Sequence, residues 1–312
     1  MSSSVPLVAI VGPTGSGKSG IAVELALALR NSGQAAEIVS ADAMQLYTGM
    51  DIGTAKVTKE ERNGVSHHLL DVWEPSTEAS VQDYQERART AITECFSRGV
   101  IPILVGGSGL YISSVLYNFE FPGTSEEIRQ RLEDELERDG LSALASRLVE
   151  KDPDAATEVD LNNPRRVVRA LEVIEITGMP ITPGLKARGE RWHEPTVVVG
   201  IEWERTALIE RIDQRVELMW QRGLVDEVRS LSESTPGLGK TAAQAIGYRE
   251  VLDFLAGESD EAEAKELVAQ HTRRYARKQM SWFRRDDAIK WIDGSRSDIV
   301  ATIESLIATH HQ

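Results

Sequence analysis

Short apolar runs separated by helical patterns dominate the first third of the chain. "PLVAIVG", "AEIVSAD", "HHLLDVW" and "IPILVGG" are near-continuous rather than alternating, which predicts strands buried on both faces. Between them, "GKSGIAVELALALRNSG" and "VQDYQERARTAITECFSRG" have helical spacing, and each closes on a glycine. A strand–helix–strand series of this kind predicts an α/β fold with a parallel sheet. From about Pro122 the pattern changes. "SEEIRQRLEDELERDG" sets Ile128, Leu132 and Leu136 four apart, the stripe of an amphipathic helix. "NPRRVVRALEVIEITG" opens with Asn163 as a cap and Pro164 at the first helical position. Strand-like runs return after Pro195 with "TVVVGIEW" and "AIKWID". The expected organisation is a core over residues 1–120, a helical insertion over 121–195, and the rest of the core over 196–312.

Composition narrows the class. A length of 312 residues, 41% hydrophobic and 27% charged, is that of an ordinary globular chain with ample core. The 35 basic and 49 acidic residues leave a net charge of -14, which opposes bulk adhesion to nucleic acid but permits a local basic groove. One cysteine, Cys95, excludes an internal disulfide framework and reads as a small buried hydrophobe. The opening "MSSSVPLVAIVG" lacks a basic leader and no apolar run is long enough to span a bilayer, so the expectation is a cytoplasmic enzyme, monomeric and free of membrane.

Chemistry enters with "GPTGSGKS". Gly12, Pro13, Thr14, Gly15, Ser16, Gly17, Lys18 and Ser19 fit the phosphate-binding loop pattern, after a strand and before a helix. Glycines let backbone N–H groups turn toward anionic oxygens at the positive end of a helix dipole, Lys18 adds a point charge, and Ser19 can ligate Mg2+. The loop accepts a di- or triphosphate, ATP included, without saying which.

Asp42 closes the second predicted strand, at the carboxyl edge where open α/β sheets bind ligands. A plain helix cap and a role on magnesium or an acceptor group both remain open for it. Gln45 and Tyr47 beside it suggest an amide able to grip a base edge and a ring able to stack on one. A second glycine loop, "LVGGSGLYI", presents the Ser108 hydroxyl at the same sheet edge.

Basic residues cluster late in the chain. Read as a helix over 265–285, "KELVAQHTRRYARKQMSWFRR" places Arg273, Arg274, Arg277, Lys278, Arg284 and Arg285 within an arc of about 140°. Val268, Tyr275, Ala276, Trp282 and Phe283 fall opposite, as a packing face. No acidic residue lies between His271 and Arg285, so an RNA backbone suits the stripe better than pairing along the helix. "PRRVVR" gives a second cluster, Arg165, Arg166 and Arg169. His67 and His68 lack the accompanying motif of a metal site and read as core or sheet-edge residues.

These segments, with "ADAMQLYTGMDIGTAK", "HHLLDV", "NPRRVVRALE", "AIGYRE" and "TRRYARKQMSWFRR", occur in an order that resembles the tRNA dimethylallyltransferase family, from about Leu7 to Arg285. The resemblance implies a P-loop NTPase-like parallel sheet flanked by helices, with a helical insertion domain that clamps the tRNA anticodon stem-loop. It implies transfer of a dimethylallyl group from dimethylallyl diphosphate to N6 of the adenosine 3′ to the anticodon, with Mg2+ at Ser19. Asp42, Ser108 and Arg215 would be catalytic, Arg215 reaching the diphosphate. Contact with tRNA would fall to Asp42, Ala43, Met44 and Gln45, to Arg165, Arg166, Val167, Val168 and Arg169, to a turn at Gly247, Tyr248 and Arg249, and to Arg273, Arg274, Arg277 and Lys278. The family more often has Ser where Ala43 stands and Thr where Ser108 stands; a side-chain hydrogen bond is lost at 43, and the hydroxyl is kept at 108. A P-loop small-molecule kinase and an ATP-dependent RNA-binding switch, the latter using Asp71 on magnesium, are the alternatives.

Overall fold

The computed structural model describes residues 5–118, 121–181 and 189–309. The first four residues of the stretch read for a leader lie outside them, as does residue 120, the end of the first expected segment. Six strands form one sheet: β1 (Leu7–Val11), β2 (Ala36–Ser40), β3 (His67–His68), β4 (Ile101–Gly106), β5 (Thr196–Glu202) and β6 (Lys290–Asp293). Their order is β3-β2-β4-β1-β5-β6, and every neighbouring pair is parallel. Val8 lies between Ile103 and Val197, so the central strands put apolar side chains on both faces. Helices Lys18–Asn31 and Ile299–Thr309 share a core with these strands, in which Leu25, Ile10, Ile103 and Ile303 are fully buried. With β1 central, the loops after β1, β2 and β4 come together at one sheet edge, which is what creates the site.

One predicted strand shrinks. In "HHLLDVW" only His67 and His68 pair with β2, opposite Ile38 and Val39. Leu69 (φ +60) and Asp71 (φ +57) adopt left-handed backbone that a strand cannot contain, and the Lys56 ammonium holds the Asp71 carboxylate at 2.5 Å where the chain turns. Near the sheet edge Glu37, His68 and Cys95 gather within 4.8 Å. Arg98 takes both Glu37 oxygens, at 2.8 and 2.7 Å, so a guanidinium already meets that carboxylate. This pairing holds Glu37 down to about 2, while burial pushes the Cys95 thiol up to about 12.

The chain divides into two compact units, Met1–Leu116 with Trp192–Gln312, and Tyr117–Arg191. Each boundary of the insertion lies four residues before the position expected from sequence (117 against 121, 191 against 195). The reason is local: Tyr117 bridges to Arg191, whose guanidinium lies 4.9 Å over its ring, and Asn118 N–H donates to the Glu190 carbonyl. Inside this unit helices Glu126–Asp139, Leu141–Lys151 and Pro164–Thr177 bury Leu132, Leu144, Leu148, Val167 and Leu171 against one another. Asn163 caps the last helix, accepting from the Arg166 N–H at 3.3 Å, with Pro164 in its first turn as the sequence indicates.

Candidate active site

The phosphate loop follows β1 and runs into helix Lys18–Asn31. Gly12 (φ +146) leaves the strand in a conformation open to glycine, and an added Cβ would meet the Ile201 carbonyl oxygen at 2.5 Å. Loop carbonyls are held from outside. Arg211 Nε donates to Gly15 O at 2.8 Å, Trp203 Nε1 donates to Ser16 O at 3.0 Å, and the Arg211 guanidinium stacks 4.2 Å over the Trp203 ring. With the carbonyls engaged, the N–H groups of Gly15, Gly17 and Lys18 take no hydrogen-bond partner among the described residues. That is the arrangement of an anion cradle. Lys18 Nζ folds back onto the loop, donating to Pro13 O at 2.7 Å.

Two cavities meet at this edge. One, of 440 Å³, is walled by the loop from Thr14 to Ser19, with Asp42, Gly106, Gly107 and Arg215. The other, of 330 Å³, is largely apolar, with Met44, Ile212, Val216, Met219 and Val268, together with Ser108 and Tyr275. Thr14, Asp42 and Arg215 belong to both walls. The β2–loop junction puts Asp42 there, and its Oδ1 accepts from the Met44 N–H at 3.0 Å, closing a short turn. Arg215 donates from Nη2 to Thr54 O at 3.1 Å. Ser108 Oγ accepts from the Ala43 N–H at 3.3 Å, so residues 43 and 108 stay joined through backbone despite the missing side-chain hydroxyl at 43.

Burial sets the electrostatics. It pulls Lys18 down from 10.5 to about 7, opposed by the Asp42 carboxylate and reinforced by Arg215. Arg215 is also lowered by burial and sustained by Asp42. Two basic side chains and one carboxylate therefore line the same buried space. Ser19 and Asp42 add hard oxygen donors in the same cavity, and the Ser19 hydroxyl has no partner among the described residues, a donor set that fits magnesium.

Several residues occupy different places from those the sequence suggests. Tyr47 is fully buried, donates to Thr77 O at 3.1 Å and packs on Trp73, so it offers no stacking face to a ligand. Gln45 is buried with its Nε2 on Thr54 O and Ala55 O, which commits its donor group to holding that loop and takes away the expected two-way grip on a base. Gly247 lies in the expected turn as the cap of a helix whose first residues are Tyr248 and Arg249. Tyr248 is fully buried against Gly53, and its hydroxyl donates to Glu227 at 2.6 Å; this burial removes it from the RNA-contacting set. Arg249 bonds Glu250 at 2.9 Å. Glu227 also accepts from the Asp51, Ile52 and Gly53 N–H groups, which fixes the loop whose Thr54 carbonyl receives Arg215. In the helical unit Val167 and Val168 are core, and Arg169 is spent on the buried Glu172 and the Pro122 and Gly123 carbonyls; only Arg165 and Arg166 of that run are exposed. Asp71, bound by Lys56, lines neither cavity, so the switch reading loses its magnesium ligand.

The long helix Glu261–Phe283 carries the basic stripe. Arg273 pairs with Asp213 and Glu266, whereas Arg274, Arg277 and Lys278 are exposed and have no carboxylate partner among the described residues. Tyr275 leaves the predicted packing face: 38% exposed, it lines the apolar cavity together with Ser108. Sequence reasoning passed over Gln279, Trp203 and Glu227, because the backbone groups they hold lie 172 to 265 residues away.

A family model described as IPP transferase matches residues 45–286. A tRNA dimethylallyltransferase of Thermobifida fusca is 51% identical over 304 residues, spanning 97% of this chain and 95% of the relative. One of Clavibacter sepedonicus is 53% identical over 286 residues, 91% of this chain and 92% of its own. Among solved structures, a full-length tRNA isopentenylpyrophosphate transferase of Bacillus halodurans superposes with a TM-score of 0.71 at 40% identity, covering 98% of this chain and 96% of that one. A eukaryotic dimethylallyltransferase solved acting on tRNA gives 0.79 at 27% identity, covering 97% and 78%. A sheet edge that joins a phosphate cradle to an apolar cavity, and relatives of one kind along nearly the whole chain, lead to one conclusion: the chain belongs to the tRNA dimethylallyltransferase, or IPP transferase, family.

Proposed function

We propose that this enzyme transfers the dimethylallyl group of dimethylallyl diphosphate to N6 of the adenosine 3′ to the anticodon in tRNA, releasing diphosphate. The observation that carries the reading is the shared wall of the two cavities: Thr14, Asp42 and Arg215 stand where a charged compartment opens into an apolar one. The diphosphate fits the loop N–H groups, with Lys18 and Arg215 on its developing charge and the Ser108 hydroxyl at its edge. Ser19 would hold magnesium, which would supply further positive charge to the leaving group. The apolar cavity suits an isoprenoid methyl pair and the face of a flipped adenine.

An adenine amino group gives up no proton beforehand. The C–O bond to diphosphate breaks as the N6–C bond forms, and the Asp42 carboxylate accepts the proton that N6 sheds as it becomes bonded to carbon. Arg165 and Arg166 in the helical unit, and Arg274, Arg277 and Lys278 on the long helix, are exposed cations without carboxylate partners among the described residues, which supports a role for each group on RNA phosphates. In single-turnover assays with both substrates saturating, Asp42→Asn should slow prenyl transfer by about 10²–10⁴-fold, with diphosphate released only when RNA is present. A full-rate Asp42→Asn variant, or RNA-independent release at the same rate, overturns the assignment.

A further inference from the structure

Gln279 stands near the end of the long helix, one turn beyond Tyr275, and is 5% exposed. Its two amide atoms reach two different loops. Oε1 accepts from the Thr14 N–H at 2.8 Å, and Nε2 donates to the Gly107 carbonyl at 2.9 Å. A backbone N–H can only donate and a carbonyl can only accept, so these partners fix which way the amide points. One loop is the phosphate cradle; the other is the turn that presents Ser108. Gln279 lines the charged cavity between them. Gly107 keeps the space open, because a Cβ there would lie 2.3 Å from Gln279 Nε2. Arg211 and Trp203 hold loop carbonyls; Gln279 alone of the three takes a loop N–H, and it is the side chain that ties the cradle to the Ser108 turn.

We infer that Gln279 is a positioning residue for prenyl transfer, locking the phosphate loop to the Gly107–Ser108 turn so that the diphosphate and the hydroxyl serving it keep one geometry. The inference rests on the prenyl-transfer reading above. Loss of the clamp lets the cradle open at Thr14, so the first effect falls on the donor and not on RNA.

The test uses the full chain with Gln279→Ala, Gly107→Ala and the two combined, assayed for prenylation of an anticodon stem-loop, with thermal melting of each. Gln279→Ala should raise the donor KM about tenfold, the size of its lost bond to the Thr14 N–H in the cradle, while RNA affinity stays close to the parent. Gly107→Ala should raise the donor KM by displacing the amide, and should add less in the Gln279→Ala background than it does alone, where only the Gly12 carbonyl oxygen, 3.2 Å from the new Cβ, is left to crowd it. Effects that multiply fully in the double variant, or an unchanged donor KM with only a lowered melting temperature, overturn the inference. Equilibrium binding of inorganic diphosphate separates this result from the wider reading: a tenfold weakening in Gln279→Ala supports the clamp whatever the acceptor, and equal affinity refutes it.

Discussion

Lys18 gives the sharpest consequence of the site's electrostatics. Burial brings it from 10.5 to about 7, so at pH 8 about nine in ten donor-free molecules carry an uncharged Lys18 amine. A diphosphate in the cradle supplies the counter-charge that burial removed, which restores the ammonium. Donor binding at pH 8 should therefore take up about 0.9 proton at Lys18, and affinity should fall toward tenfold per pH unit above about 7. Below pH 6 the amine is already charged and uptake should vanish. Calorimetric titration of dimethylallyl diphosphate in buffers of different ionisation enthalpy measures this directly. Lys18→Arg is the control, because a guanidinium stays protonated and the titration of the diphosphate itself is common to both proteins. The sign for folding is the reverse of a salt-bridged lysine. The folded value lies below the unfolded one, so between pH 7 and 10.5 the unfolded chain binds more protons and this group's share of stability rises with pH. An uptake near zero at pH 8, or a pH slope in Lys18→Arg equal to the parent's, would refute the argument.

Two further outcomes are expected. Glu37, held at about 2 by Arg98, contributes stability that is fully present above its ordinary value of 4.5 and is lost as pH falls toward 2. Glu37→Gln should cost about 1–2 kcal/mol at pH 7 after solvent screening, with the gap in urea midpoint closing at pH 2; a gap constant with pH contradicts the pairing. Arg277→Ala should weaken RNA binding across sequences and reduce the slope of log affinity against log salt by about 0.7–0.9, and an unchanged slope would leave Arg277 a solvated side chain.

The sheet, its parallel sense and the phosphate loop were legible because each is written in local pattern: continuous apolar runs, glycine spacing and a capped helix start. What sequence could not show was commitment. Tyr47, Gln45 and Tyr248 have the chemistry of ligand contacts, but their polar atoms are taken by Thr77 O, by Thr54 O and Ala55 O, and by Glu227. Those partners lie up to 30 residues away and hold the segment after Asp42, including the Thr54 carbonyl that receives Arg215. Val167 and Val168 were drawn into a basic run by position alone, although their place on the apolar side of an amphipathic helix puts them in the core. Gln279 was invisible for the converse reason. It lies inside a stripe of charges, and only the fold brings it against Thr14 and Gly107.

The central claim is the reaction itself, and mass spectrometry of the RNA product tests it most directly. The purified chain is incubated with magnesium, dimethylallyl diphosphate and an unmodified anticodon stem-loop carrying an adenosine 3′ to the anticodon; ATP replaces the donor in a parallel reaction. The account predicts a gain of one dimethylallyl unit on that adenosine, with diphosphate released in step and no ATP consumed. An unmodified RNA, together with ADP or phosphate in the ATP reaction, would contradict it and assign the phosphate loop to a nucleotide.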